Sequence, residues 1–381
     1  MENKSLKGNY FVCANEVFVE GKSVGQFESF ECEDTRENLA ASATIRLPFY
    51  SMAVKSISKI TKGKVKSIGK NILSYVRIDP EKMGVKIGAY VEVKVWYHDN
   101  KILHHKFDKQ VAFAGFIKNV TAGFPTTIEC EDMAFPLRFG TASQFPKLTK
   151  LSDMLPAQIE ISNEAFSKYR EDNGLKYKCP KLSFDTNSLD GEFVFKSYKG
   201  ISPFDVVSQV LVGIYKLYAS VDGDGKLFAG IGTANTQKRT VELDTSINVI
   251  GRNVVLGSAL FENYKVIVRY IDSNREVKEI SKGSENGIPY ELPYQPNKDA
   301  KWASDIADST LMGLKARRNK GTIQTLLYPE VRLFDFISYV DTVIDELSGG
   351  YYVIGRKLTC DDNGYRQTLT VTNKTFLYLA T

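Results

Sequence analysis

Tyr90-Val91-Glu92-Val93-Lys94-Val95-Trp96-Tyr97 is the stretch whose reading decides the fold. Val91, Val93, Val95 and Tyr97 point one way and Glu92, Lys94 and Trp96 the other, which is the two-residue period of a strand with one buried face. Downstream, Phe113-Ala114-Gly115-Phe116-Ile117-Lys118-Asn119-Val120 reads as a second strand, and its internal Gly115 marks a bulge or a bend. Gly123-Phe124-Pro125 turns the chain, and Thr126 to Asp132 alternates again with Ile128 and Cys130 inward. Upstream, Phe11-Val12-Cys13, Val17-Phe18-Val19, Phe27 to Cys32 and Ala43-Thr44-Ile45-Arg46-Leu47 are short strands grouped around a Gly21–Gly25 turn. Residues 1–140 are therefore expected to form a meander that closes into an antiparallel β-barrel.

Residues 141–240 read as a small α/β unit. Leu148 to Phe166 is helical in pattern, with Pro156 expected to break it or to start a second piece. Leu182 to Tyr198 suggests short strands. Ser202-Pro203 supplies an N-cap and a first helical residue, and Phe204, Val207, Leu211, Ile214 and Leu217 give that helix an apolar face. A hairpin from Tyr218 to Ile231 turns at Asp222-Gly223-Asp224-Gly225. Residues 241–381 return to strands at 248–256, 264–270, 321–327, 336–340, 351–358 and 366–372, with one helix over 299–311. They form the second expected barrel. The fold class is thus mainly β with α+β, two antiparallel β-barrels bridged by a small α/β domain. Gly115-Phe116-Ile117 through Ile128-Glu129-Cys130 parallels Gly350-Tyr351-Tyr352 through Thr368-Leu369-Thr370, a sign of duplication.

The 381 residues carry 50 Lys+Arg against 45 Asp+Glu, a net charge of +5 that is mild for a dedicated nucleic-acid binder. Twenty Tyr and 22 Phe against two Trp lean towards strands. The five cysteines, Cys13, Cys32, Cys130, Cys179 and Cys360, have no paired spacing, so each is read as a small hydrophobe in a chain made in a reducing cytoplasm. No apolar run reaches 18 residues, which excludes a membrane-spanning helix.

Catalytic signatures are missing from the sequence. It has no nucleophile elbow, zinc-helix motif or phosphate loop, and Gly230-Ile231-Gly232 lacks the third glycine of a dinucleotide site. His98, His104 and His105 sit around one turn without further ligands, so no metal is assigned to them. Asp222-Gly223-Asp224-Gly225 has Lys226 where a calcium loop needs an oxygen, and is read as a turn. No catalytic residue, metal or cofactor is assigned.

Charge is concentrated in one place. Residues 48–78 contain no acidic residue but carry Lys55, Lys59, Lys62, Lys64, Lys66 and Lys70, with apolar residues at roughly helical spacing. A lipid surface, a nucleic acid, an acidic protein neighbour and a plain solvated loop all fit such a run. Docking onto a neighbour is the reading adopted, because a partner would also cover the apolar positions. Lys315, Arg317 and Arg318, followed by Lys320, form a second basic group that could face DNA in a ring lumen or lie at a helix C-terminus.

The order of these segments resembles the phage baseplate or tail hub proteins, the family of late-control D proteins and of the N-terminal part of type VI secretion VgrG spikes. The residues that carry the resemblance are Lys86 to Val93, Phe113 to Val120, Thr127 to Asp132, the helix and hairpin from Ser202 to Ile231, and Asp299 to Val371. The resemblance implies a non-enzymatic homotrimer, with two similar barrels per subunit, that adapts a sixfold tail tube to a threefold spike or tip. It implies tail tube, spike or tip and tape-measure proteins as partners, transient passage of DNA through the lumen, no stable membrane insertion, and a place in a virion tail or injection-machine baseplate. An end at Thr381 is expected to leave any spike or lysozyme-like domain to a separate chain. The alternatives weighed are a virion-associated cell-wall or glycan hydrolase, which needs paired carboxylates in a cleft, and a carbohydrate-binding β module with exposed aromatic platforms.

Overall fold

The computed structural model describes residues 12–35, 38–48, 50–55, 72–77, 84–98, 109–186, 192–195, 200–214, 218–230, 240–255, 263–272, 274–292, 299–315, 320–326 and 328–372. The strands of the first half are β1 (Val12–Val19), β2 (Lys22–Gly25), β3 (Ser29–Thr35), β4 (Ser42–Leu47), β5 (Tyr50–Lys55), β6 (Ile72–Arg77), β7 (Tyr90–His98), β8 (Gln110–Thr121) and β9 (Thr126–Glu131). The middle holds β10 (Phe145–Lys150), α1 (Leu151–Asp172), β11 (Ser183–Phe184), β12 (Glu192–Phe195), α2 (Pro203–Asp205, continued by a π-type helix Val206–Ile214), β13 (Tyr218–Val221) and β14 (Lys226–Gly230). The last part holds β15 (Thr240–Asp244), β16 (Val249–Val255), β17 (Tyr264–Ile271), β18 (Val277–Gly283), β19 (Ile288–Glu291), α3 (Ala300–Lys315), β20 (Lys320–Leu326), β21 (Phe336–Val340), β22 (Gly349–Asp361) and β23 (Gly364–Thr372).

Thirteen of the described strands form one sheet, in the order β16-β20-β23-β22-β3-β4-β9-β8-β7-β1-β2, with β21 paired to β22 and β15 to β21. Among the described strands no pairing closes either half into a complete barrel. The two halves repeat one plan. The order β3-β4-β9-β8-β7-β1 in the first matches β16-β20-β23-β22-β21-β15 in the second, and the chain visits both sets in the same sequence. Each pairing is antiparallel in both halves except the last, where β1 is antiparallel to β7 and β15 parallel to β21.

The expected alternation in β7 is met. Val91, Val93 and Val95 are buried in the first core with Ile45, Ile117 and Ile128, and Glu92, Lys94 and Trp96 are half-buried. The second half has its own core of Ile323, Ile337, Tyr339, Tyr351, Leu369 and Val371. A third core lies between Tyr90, Phe116 and Phe135 on one side and α1, α2 and the β13–β14 hairpin on the other.

Two expectations are corrected. Pro156 does not break α1, which runs unbroken from Leu151 to Asp172. Proline removes one backbone donor near the start of the helix, and the buried Leu151, Met154, Leu155, Gln158 and Ile159 hold the segment on both sides of it. The helical spacing in the basic insertion also misleads at both ends. Residues 50–55 and 72–77 form an antiparallel hairpin with Lys55 opposite Ile72, and 56–71 lie outside the described residues. A unit not anticipated is the three-stranded sheet β18-β17-β19 covered by α3, whose core is Val266, Val268, Tyr270, Ala303, Ile306 and Ala307. It is inserted between β16 and β20, neighbours whose last paired residues are Val255 and Lys320.

Candidate functional site

Of the predicted docking cations, Lys55 ends β5, while Lys59, Lys62, Lys64, Lys66 and Lys70 lie outside the described residues. Lys315 is the last residue of α3, and Arg317 and Arg318 lie outside the described residues. His98 ends β7, and His104 and His105 lie outside them. The Asp222 carboxylate accepts from the backbone N–H of Asp224 at 3.0 Å and of Lys226 at 2.8 Å, the bonding of a hairpin turn. Among the described residues no three His, Cys, Asp or Glu side chains come together to hold a metal ion, and no helix is long and apolar enough to cross a membrane.

The buried charges serve joints between elements. Arg170 on α1 donates to the Gly88 carbonyl at 2.8 Å, to the Glu20 carboxylate at 3.1 Å and to the Tyr177 carbonyl at 2.9 Å. Asp132 accepts from the backbone N–H of Ala41 and Ala134, and burial still pushes its carboxyl well above the usual carboxylate range. Burial pushes the Cys32 thiol up to about 12, so it is an inert part of the first core. A shallow groove of about 450 Å³ runs along α1 between Glu160, Glu164, Lys181 and Phe184. Its Asn163 is already committed, bonding both the N–H and the carbonyl of Leu182.

The seam between the halves is a strand pairing. The first part of β22 pairs with β21, and then Gly355 to Cys360 pairs with Thr35 to Phe30 of β3. The β22–β23 hairpin thereby buries Leu358, Cys360 and Tyr365 in the core of the first half. The Tyr365 hydroxyl accepts from Asn15 Nδ2 at 2.7 Å, and its ring lies 6.2 Å from that of Phe27. Arg356 lies opposite Asp34 in this seam and donates to the Val331 carbonyl at 2.8 Å.

At the opposite edge of the second half, no described strand pairs with the outer side of β16. β16 is the last strand of the sheet and carries Ile250 and Val255 exposed. Beside it stand Ile247 and Val343, each 78% exposed, and Ile344. Asp341 ties this surface together, paired with Arg252 of β16 and accepting from the N–H of Val343 at 3.0 Å, that of Ile344 at 2.8 Å and the Tyr339 hydroxyl at 2.8 Å. Phe124, at the β8–β9 turn, is 76% exposed. An edge that no described strand covers, with apolar neighbours, is a candidate docking surface. Alternation alone could not mark it, because Ile and Val read as core in any strand.

No family model matches the sequence, and no curated protein matches it either. Solved structures do. The tail protein from Neisseria meningitidis MC58 superposes with a TM-score of 0.60 at 12% identity, over 94% of this chain and 96% of that one. The 43 kDa tail protein of prophage MuSo2 from Shewanella oneidensis gives 0.54 at 13% identity, over 94% and 97%. A chain of the Francisella PdpA–VgrG complex gives 0.51 at 10% identity, over 98% of this chain and 60% of that one. At these identities the likeness is one of fold, and over nearly its whole length this chain shares the mainly antiparallel β fold of those tail proteins, in line with its resemblance to baseplate hubs and VgrG.

Proposed function

We propose that the chain is a structural hub of a phage tail or phage-like injection machine, a trimeric ring that adapts a sixfold tail tube to a threefold tip or spike. The observation that carries this reading is the repeated strand order of the two halves. Three subunits with two similar halves each would present six similar surfaces in a ring of threefold symmetry. The full-length likeness to two tail proteins supports the same reading.

In this reading the units are 1–140 and 241–381, the two barrel-like hub domains, with 141–240 as the bridge. The basic insertion would dock on a neighbouring tail component, and Lys315, Arg317 and Arg318 would face the lumen through which DNA passes. The role is architectural rather than catalytic. Tail tube, spike and tape-measure proteins are the partners it implies, and the tail or baseplate is its place. Light scattering tests the ring: about 128 kDa is expected, three times the 42.7 kDa of one chain. A single 42.7 kDa species at every protein concentration would count against it.

A further inference from the structure

The two halves correspond residue by residue around their central hairpins. In the first half Phe116 pairs with Tyr90 on one side and Glu131 on the other; in the second Tyr352 pairs with Phe336 and Thr372. The ladder then slips at the same point, between Ile117 and Asn119 and between Val353 and Gly355. The Ile117 carbonyl accepts from Gly88 N–H at 2.8 Å and its N–H donates to the Ala89 carbonyl at 2.9 Å; Val353 does the same with Phe334 at 2.7 Å and Asp335 at 3.1 Å. Gly88 and Phe334 both take positive φ, 80° and 70°. Thr121 therefore stands where Lys357 stands. By the same count through β4 and β20, Val255 of β16 stands where Glu33 of β3 stands.

Within the chain, Lys357 pairs with Glu33, and this pairing joins the halves. The equivalent pair is unmade within the chain. Residues 119–121 have no described partner on the side that β7 leaves open, and β16 has none beyond its β20 side. Both members are exposed, Val255 at 61%. Three residues past Lys357, Cys360 is buried under the seam; three residues past Thr121, Phe124 is 76% exposed. The surface that Tyr365 covers in the first half corresponds to the one where Ile247, Val343 and Ile344 are exposed in the second.

We propose that the occupant of the β16 edge is a second copy of this chain, whose residues 119–121 pair antiparallel to it with Thr121 opposite Val255. Its β8–β9 turn then lays Phe124 on the patch of Ile247, Val343 and Ile344. The contact between subunits thereby repeats the seam inside each subunit. It is heterologous, with the second half of one copy meeting the first half of the next, and such contacts form rings when the rotation closes. This inference rests on the ring reading and adds its interface.

Opposed residues of an antiparallel pair lie close enough for a disulfide. The test is the full-length double variant Thr121→Cys, Val255→Cys, oxidised over a range of concentrations, with each single variant as control and mass read under denaturing, non-reducing conditions. Covalent oligomers in the double variant alone are expected, and reduction should remove them. A trimer by light scattering without that cross-link overturns the interface and leaves the ring standing. A monomer without cross-link at every concentration overturns both.

Discussion

Arg170 holds α1 on the first half through Gly88 and Glu20 while also bonding the Tyr177 carbonyl just after its own helix, and its partner Glu20 is equally engaged. Glu20 accepts from the N–H of Tyr90 at 2.8 Å and of Tyr177 at 3.1 Å, and pairs with Arg170 where both side chains are nearly buried. Arg170→Ala would leave that carboxylate without its counter-charge, and should lower unfolding free energy by about 3–5 kcal/mol in denaturant titrations. Arg170→Lys should recover only part, because a single ammonium cannot span three acceptors. A cost below about 1 kcal/mol would show that the network is not a structural joint. Asp341 makes a prediction in pH. Burial raises its carboxyl, but the bonds from Arg252, the Ile344 and Val343 N–H groups and the Tyr339 hydroxyl outweigh that and hold it well below the usual range. A depressed carboxylate contributes stability above its unfolded value and loses it as pH falls towards the folded one. The stability gap between wild type and Asp341→Asn should be level above about pH 5 and shrink from about pH 4 downwards. A gap that stays constant through acid would refute this account. Neither network was legible in the sequence, since Glu20 and Arg170 are 150 positions apart and only the folded chain brings them together.

At the scale of elements, strands with one buried face were legible and those without one were not. β7, β17 and β23 announce themselves by alternation, whereas Val277-Lys278-Glu279-Ile280-Ser281-Lys282-Gly283 of β18 is largely exposed and shows no apolar period. The helical spacing of the basic insertion misled at its two ends for a related reason, because Val54 and Ile72 belong to paired strands, where apolar residues also recur. The Ser202 cap was readable, but the reciprocal bond, in which the Asp205 carboxylate accepts from the Ser202 N–H, and the π-type continuation were not. The suggested duplication was right in kind and one residue off in register. It aligned Phe116 with Tyr351, whereas the pairing sets Phe116 against Tyr352. The β22–β23 hairpin makes the prediction at this scale. Tyr365 is buried in the other half's core, so Tyr365→Ala should cost about 3 kcal/mol, and Tyr365→Phe, which keeps the ring but loses the hydroxyl that bonds Asn15, about 1 kcal/mol. Equal costs for the two would mean that the ring itself packs nothing.

For the whole molecule, the question is which surface holds one copy to the next, and salt separates the two answers. The edge of β16 exposes Ile250 and Val255 and the turn exposes Phe124, and burial of such apolar surface with backbone pairing does not weaken as salt is added. Lysines of the insertion docked on acidic neighbours would act through charge, which is screened within about 8 Å at physiological ionic strength. If the strand edge carries the ring, the mass measured between about 0.05 and about 0.5 M NaCl should hold steady. Phe124→Ser should then weaken association by about tenfold or more, as removal of a central aromatic anchor does. Because Phe124 is 76% exposed in the single chain, that variant should keep its unfolding midpoint, so a loss of mass cannot be put down to a loss of fold. The opposite pattern, dissociation by salt with no response to Phe124→Ser, would move the contact to the lysines. The reason to expect the first pattern lies in the seam inside one chain: among the described strands one pairing, β22 with β3, joins the halves, and the equivalent edges on its far side, β16 and residues 119–121, pair with no described strand.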